Sequence, residues 1–206
     1  MGVPGFFVWL MKKYKKRNFV GKRKIKKVDK FLIDANCMLH PQCFKILAEN
    51  PHWNDIDKLQ NKMLNECIRY LDFLIMEADP QELVYIAVDG VAPVAKMKQQ
   101  RYRRFKSVKD RQLFDNIKRK HKRDIPNYWT NSSITPGTKF MKQITQRIEE
   151  YIKTKPDLKF IFSSGNEPGE GEHKLLDYIR NDKDECNYLI YGLDADLLFL
   201  SMSSGK

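Results

Sequence analysis

The sequence predicts an α/β fold in which helices flank a mostly parallel central sheet and one long basic helix is added. Three observations carry this. Four short apolar runs read as strands, and three of them stop at a turn signal. Longer stretches with helical periodicity separate them, an alternation that builds βαβ units and a parallel sheet. The runs are continuous rather than alternating, as strands covered on both faces require.

The first strand is read over residues 29–35, Asp-Lys-Phe-Leu-Ile-Asp-Ala. Leu59, Met63, Cys67, Tyr70 and Leu74 then recur at steps of 4, 4, 3 and 4, which gives residues 55–78 one apolar helical face. Leu83-Val84-Tyr85-Ile86-Ala87-Val88 is the second strand, stopped by Asp89-Gly90. A basic helix begins soon after. Residues 127–133 read as a loose connection with Trp129 exposed in it, while Trp9 and Trp53 read as packing residues. Thr135-Pro136-Gly137-Thr138 suits a helix start, and Phe140, Ile144, Ile148 and Ile152 form the face that follows. Lys159-Phe160-Ile161-Phe162-Ser163 is the third strand, followed by a helix that opens near Gly169 and carries Leu175, Leu176, Tyr178 and Ile179. Tyr188-Leu189-Ile190-Tyr191 is the fourth, and residues 197–200 fit a strand or a helix. With no repeat and no low-complexity linker, residues 1–206 are expected to form one domain.

Composition narrows the function. Of 206 residues, 42% are apolar, enough to bury a core. Lys and Arg number 38 against 26 acids, a net charge of +12. The excess is concentrated: residues 1–28 hold no acid, and residues 96–123 hold thirteen cations against Asp110 and Asp115. Such blocks are the footprint of a polyanion partner, usually nucleic acid, with a solvated basic face or a localisation signal as the alternative. No run approaches the ~18 apolar residues of a membrane span, so no membrane partner is expected. The six residues Phe6-Phe7-Val8-Trp9-Leu10-Met11 are too few for a signal peptide, and the sequence after Gly2 does not fit myristoylation. Four cysteines without a C-x-x-C pair imply reduced thiols and an intracellular setting, cytoplasm or nucleus. Secreted, membrane-spanning and collagen-like classes are excluded.

Each strand releases acids at or just past its carboxyl end: Asp34, then Asp89, then Glu170 and Glu172 within Pro168-Gly169-Glu170-Gly171-Glu172-His173, then Asp194 and Asp196. In open α/β sheets the ligand crevice lies outside these ends. Six carboxylates there repel one another unless cations neutralise them. Hard oxygen donors favour Mg²⁺ or Mn²⁺, and six charges suit two ions, the arrangement used for phosphodiester hydrolysis. A single such Asp is more often a turn former or a cap; four acid-bearing strand ends are harder to explain that way. Lys96, Gln100, Arg103 and Arg104 fall on one helical face, where the planar fork of arginine suits a terminal phosphate; on spacing alone a solvated helix face fits equally well. His173 is expected to support neighbouring carboxylates or cap its helix. Cys37, His40 and Cys43 lack a fourth ligand and are discounted as a metal site.

With these residues in hand, the chain resembles the amino-terminal catalytic region of XRN-type 5′→3′ exoribonucleases. The match includes Met-Gly-Val-Pro-Gly-Phe-Phe at the start, Leu32-Ile33-Asp34-Ala35-Asn36 with His40, and Val88-Asp89-Gly90-Val91-Ala92-Pro93 running on through Arg103-Arg104-Phe105. It continues with Ile134-Thr135-Pro136-Gly137-Thr138, Pro168-Gly169-Glu170-Gly171-Glu172-His173-Lys174 and Tyr191-Gly192-Leu193-Asp194-Ala195-Asp196. The resemblance implies a PIN/FEN-like nuclease core and stepwise release of mononucleotides from RNA with a 5′-monophosphate. It makes Asp34, Asp89, Glu170, Glu172, Asp194 and Asp196 the metal ligands. Lys96, Gln100, Arg103 and Arg104 become the 5′-phosphate pocket, His40 a stacking partner for the first base, and Gly2 a neighbour of the active site.

Val94 stands where the family often has a basic residue, and Cys37 where Gly is common. By the resemblance, the family's catalytic region continues past the sequence Ser203-Ser204-Gly205-Lys206 and there supplies another acid, more of the sheet and an aromatic partner; the chain then reads as a compact stand-alone relative, half of a split enzyme completed by a second polypeptide, or an incomplete gene product. The competing readings are a FEN-like structure-specific DNA nuclease and a catalytically incomplete RNA-binding fragment or split-enzyme subunit.

Overall fold

A computed structural model describes residues 5–14 and 27–206; the expectation for Gly2 and most of the basic run at 12–27 lie outside them. The elements are α1 (Phe6–Tyr14), β1 (Lys30–Asp34), α2 (Ala35–Glu49), α3 (Ile56–Ala78), β2 (Leu83–Ala87), α4 (Val94–Lys120), a 3₁₀ turn (Asn131–Ser133), α5 (Lys139–Lys153), β3 (Lys159–Ser163), α6 (Gly171–Asn181), β4 (Tyr188–Tyr191) and α7 (Ala195–Ser203). All strand pairs are parallel, in the order β3-β2-β1-β4. The chain moves outward from β1 through β2 to β3, then returns to lay β4 on the other side of β1. That reversal leaves a crevice beyond the carboxyl ends of β1 and β4.

The two-residue side-chain period divides β1 between two cores. Phe31 and Ile33 pack with Met38 of α2, Met63 and Leu71 of α3, and Phe140, Ile144 and Ile148 of α5. Leu32 turns to the other face, where Tyr85 of β2 meets Leu175 and Ile179 of α6. Each such burial stabilises by roughly 2 kcal/mol. The sheet is therefore clamped on both faces, and its carboxyl edge is held rigidly. Among the described residues, no helix is long and apolar enough to cross a membrane.

Several expectations need correction. Helix α2 was not anticipated, because Pro41 lies inside it and reads as a breaker. Residues 197–200 take the helical one of their two expected forms, in α7, with Asp194 as the cap. Trp129 is buried, only 3% exposed, and meets Phe140 edge-on at 5.6 Å, so 127–133 is anchored rather than loose. Trp9 is the reverse, with half its surface exposed.

The basic helix α4 is 27 residues long, about 40 Å, and buries none of them. It projects from the carboxyl edge of β2 and presents most of its cations to solvent.

Candidate functional site

The amino terminus of α6 is the point around which the acids assemble. Asp89 Oδ1 accepts the Gly171 N–H at 2.7 Å, satisfying a backbone donor that the helix leaves unpaired and placing negative charge at the positive end of its dipole. The other oxygen of Asp89 accepts from Asn36 Nδ2 at 2.7 Å. Asp34 caps α2: its carboxylate accepts the Asn36 N–H at 3.1 Å and the Cys37 thiol, also at 3.1 Å. A side chain on Gly171 would come within 3.1 Å of Asp34 Oδ1 and 3.3 Å of Asp89 Oδ1. Glycine is what lets both carboxylates flank this backbone.

The loop before α6 is pinned to the end of β2. Gly90 N–H donates to the Gly169 carbonyl at 2.8 Å, Gly169 N–H donates to Val91 at 3.0 Å, and a Cβ on Gly90 would collide with the Glu167 carbonyl oxygen. Lys174 Nζ donates to the carbonyls of Val88 at 2.8 Å and Ser164 at 3.1 Å, tying the ends of β2 and β3 together.

Glu170 caps α6, and Glu172 and His173 stand in its first turn. One oxygen or nitrogen of each of these three lies within 4.8 Å of the others. His173 Nε2 is 3.9 Å from both carboxylates, the supporting place expected of it. Asp194 caps α7 and accepts the Asp196 N–H at 3.4 Å; its charge acts on Glu172, and its backbone borders the Cys37 thiol.

The electrostatics are those of a buried site whose carboxylates also repel one another. Burial pushes the Asp34 carboxyl up to about 6; the Cys37 hydrogen bond opposes this and the Asp89 charge adds to it. Asp89 is raised by burial, against the Gly171 N–H, with Glu170 adding and Lys96 opposing. Glu172 is raised by burial too, with Glu170 and Asp194 adding to it against Lys96 and His173. The Cys37 thiol is pushed up to about 12 by burial and by Asp34, so it remains a hydrogen-bond donor. Burial lowers His40 against the pull of Asp89, which favours a neutral imidazole. Hard oxygen donors under mutual repulsion fit divalent cations such as Mg²⁺ or Mn²⁺.

Of the six acids read from sequence, Asp34, Asp89, Glu170 and Glu172 surround the start of α6. Asp194 is exposed at the start of α7 and reaches the group only through its charge on Glu172, and Asp196 lies in the first turn of α7. Lys96 is turned into the acids: Nζ is 2.5 Å from Glu170 Oε2. Burial alone would lower its pKa, but Glu170, with Glu172 and Asp89 beyond, raises it. Gln100 is half-buried next along the helix, while Arg103 and Arg104 are exposed, with Arg104 donating to Thr135 Oγ1 at 3.4 Å. Sequence reasoning assigned no role to Asn36, Gly171 or Lys174. The signal for Asn36 was its place directly after the strand-ending Asp34-Ala35.

A family model described as XRN 5'-3' exonuclease N-terminus matches residues 1–206. Among curated relatives, a 5'-3' exoribonuclease 2 from Candida albicans is 33% identical over 245 residues, covering 99% of this chain and 25% of its own. A 5'-3' exoribonuclease 1 from Schizosaccharomyces pombe is 34% identical over 219 residues, with 99% of this chain and 16% of its own covered. The human 5'-3' exoribonuclease 1 is 33% identical over 222 residues, covering 99% and 13%. The chain thus spans about a quarter or less of the length of these relatives.

Proposed function

The chain belongs to the XRN 5'-3' exonuclease N-terminal family, and on that premise we propose that it is a metal-dependent exoribonuclease that removes mononucleotides from the 5′ end of 5′-monophosphorylated RNA. Its parallel sheet with flanking helices is the PIN-like nuclease fold of that family. The observation that carries the reading is the convergence of Asp34 and Asp89 on the Gly171 backbone, with Lys96 of the basic helix bonded to Glu170 beside them.

In this reading Asp34, Asp89, Glu170, Glu172, Asp194 and Asp196 hold two Mg²⁺ or Mn²⁺ ions. When bound, these supply an activated water and charge stabilisation of the leaving oxygen. The chain's own groups do the positioning. Arg103 and Arg104, with Gln100 and Lys96, grip the terminal phosphate through charge-assisted hydrogen bonds. That grip sets the next phosphodiester beside the acids, and a neutral His40 offers a flat face to the first base. Asn36 and the Gly171 N–H keep Asp89 aimed, so the acids need not reorganise during the reaction.

RNA degradation in an intracellular setting, cytoplasm or nucleus, belongs to the same proposal. Because the chain spans only part of its relatives' length, a second reading is that further polypeptide completes the site and this chain alone binds RNA without cutting it. The reading is tested by comparing cleavage of single-stranded RNA and of flap DNA: preference for the RNA supports it, and preference for the flap makes the protein a structure-specific DNA nuclease.

A further inference from the structure

The helix face that begins at Lys96 does not stop at Arg104. It continues at helical spacing through Ser107, Arg111, Phe114 and Lys118. This stretch forms one wall of an open groove of about 750 Å³, and Pro126 and Tyr128 form the other. The Arg111 guanidinium carbon stands 3.2 Å from the centre of the Tyr128 ring, joining the two walls by a stacked cation. Phe114 is 62% exposed and Tyr128 42%, and Lys106 and Lys118 line the same space. Two acids also line it: Asp115, 3.3 Å from Arg111 Nε, and Asp110.

We infer that this groove, which begins at Arg103 of the phosphate-binding face, is a further binding site for single-stranded RNA that leads along α4 away from the acid cluster. Its phosphates lie along Lys106 and Lys118, and its bases stack on Phe114, Tyr128 and the Arg111 plane. The inference rests on the reading that the chain acts on RNA. Cations interleaved with exposed aromatic rings are how proteins hold single strands without choosing sequence, since every base has a face to stack. A polypeptide partner would instead be expected on the opposite face, where Tyr102, Phe105 and Leu113 are exposed and none of them lines the groove. Phe114 is about 27 Å beyond Lys96 along the helix axis and about 16 Å beyond Arg103, which borders both sites, so only a long RNA can cover the acids and Phe114 together. Asp110 has no favourable role toward phosphate, and its charge weakens the site.

The test is RNA affinity of the full 206-residue chain in EDTA, using 5′-monophosphorylated RNAs of about 4 and about 30 nucleotides. The variants are Tyr128→Ala, Lys118→Glu and Asp110→Asn, with Lys109→Ala as control. Tyr128→Ala and Lys118→Glu are expected to weaken the long RNA about tenfold and leave the short one unchanged. Asp110→Asn tightens the long RNA a few-fold, and Lys109→Ala changes neither. Long-RNA affinity that ignores Lys118→Glu and Tyr128→Ala overturns the inference alone, provided the short RNA still binds through its 5′-phosphate. Equal losses on both RNAs also overturn it, because they locate the effect in the fold or the acid cluster. Failure of the unsubstituted chain to bind either RNA sinks this inference and the proposed function together. Groove variants that spare RNA but abolish binding of a polypeptide would make the face a protein-docking surface.

Discussion

Lys96, in the first turn of α4, donates to the carboxylate of Glu170, the capping residue of α6, across 2.5 Å. This bond connects the basic helix to the acids, and in the proposed function it would set the distance between the phosphate-binding face and the acid cluster. Lys96→Met is therefore expected to lower catalysis and end-group preference together, whereas Arg103→Ala, on the exposed part of the same face, lowers the preference for a 5′-monophosphate over a 5′-hydroxyl by about tenfold. Competition between the two RNAs for each variant measures both effects. Unchanged preference in Arg103→Ala would remove that residue from the pocket.

The two close glycines are expected to separate stability from function. Gly90→Ala drives a Cβ into the Glu167 carbonyl, backbone that cannot yield cheaply, and should cost about 2 kcal/mol or more in denaturant unfolding. Gly171→Ala meets carboxylate oxygens of Asp34 and Asp89 at 3.1 and 3.3 Å and the Ala87 carbonyl at 3.3 Å, contacts that shifts of a few tenths of an ångström relieve. Its stability should fall by about 1 kcal/mol or less and its activity by about tenfold or more. Equal damage from both by the two measures would contradict this.

At the opposite end of β1, Lys30 is buried between Asp182 and Asp184, each 2.6 Å away. Burial alone would lower the lysine's pKa, but the two hydrogen bonds outweigh it and raise it. Asp182 is buried as well and also accepts from the Tyr188 hydroxyl at 2.7 Å. Lys30→Ala leaves that carboxylate without its cation, so a loss of about 3 kcal/mol is expected. A loss below about 1 kcal/mol would mean that the pair is hydrated and contributes little.

Glu66 supplies a pH dependence with a definite sign. Its hydrogen bond from Arg69 holds the carboxyl down at about 2 against burial, and Lys45 adds to this. The unfolded chain ionises it near 4.5. The stabilisation is therefore complete above about 4.5 and fades as the pH falls toward 2. Both cations face solvent, so about 1 kcal/mol is at stake. Unfolding of Glu66→Gln followed from neutral to acid pH should show a correspondingly shallower decline; an identical decline would assign acid sensitivity to other carboxylates.

The four strands were legible as short apolar runs, three of them closed by turn residues, and helix α3 because Asp55 and its apolar steps agree. Helix α2 was hidden by Pro41, whose missing N–H costs one bond while Met38, Leu39, Cys43 and Ile46 remain buried beneath the sheet's edge. Trp129 was misread because its neighbours carry no periodicity and its partner, Phe140, lies in the next helix. For the site, the acids followed from the strand ends, since topology alone delivers them to one edge. The inward turn of Lys96 and the exposure of Asp194 did not follow. They depend on where α4 and α7 sit against α6, a tertiary fact that no local pattern encodes.

The central claim is tested most directly by digesting one 3′-labelled RNA bearing a 5′-monophosphate, triphosphate or hydroxyl, with Mg²⁺ or EDTA, beside an Asp194→Ala control. The account predicts loss of the monophosphate form alone, dependent on Mg²⁺ and reduced about 100-fold or more by Asp194→Ala, which in EDTA still binds the RNA. Equal digestion of all three ends, or digestion that persists in EDTA or in Asp194→Ala, would contradict it.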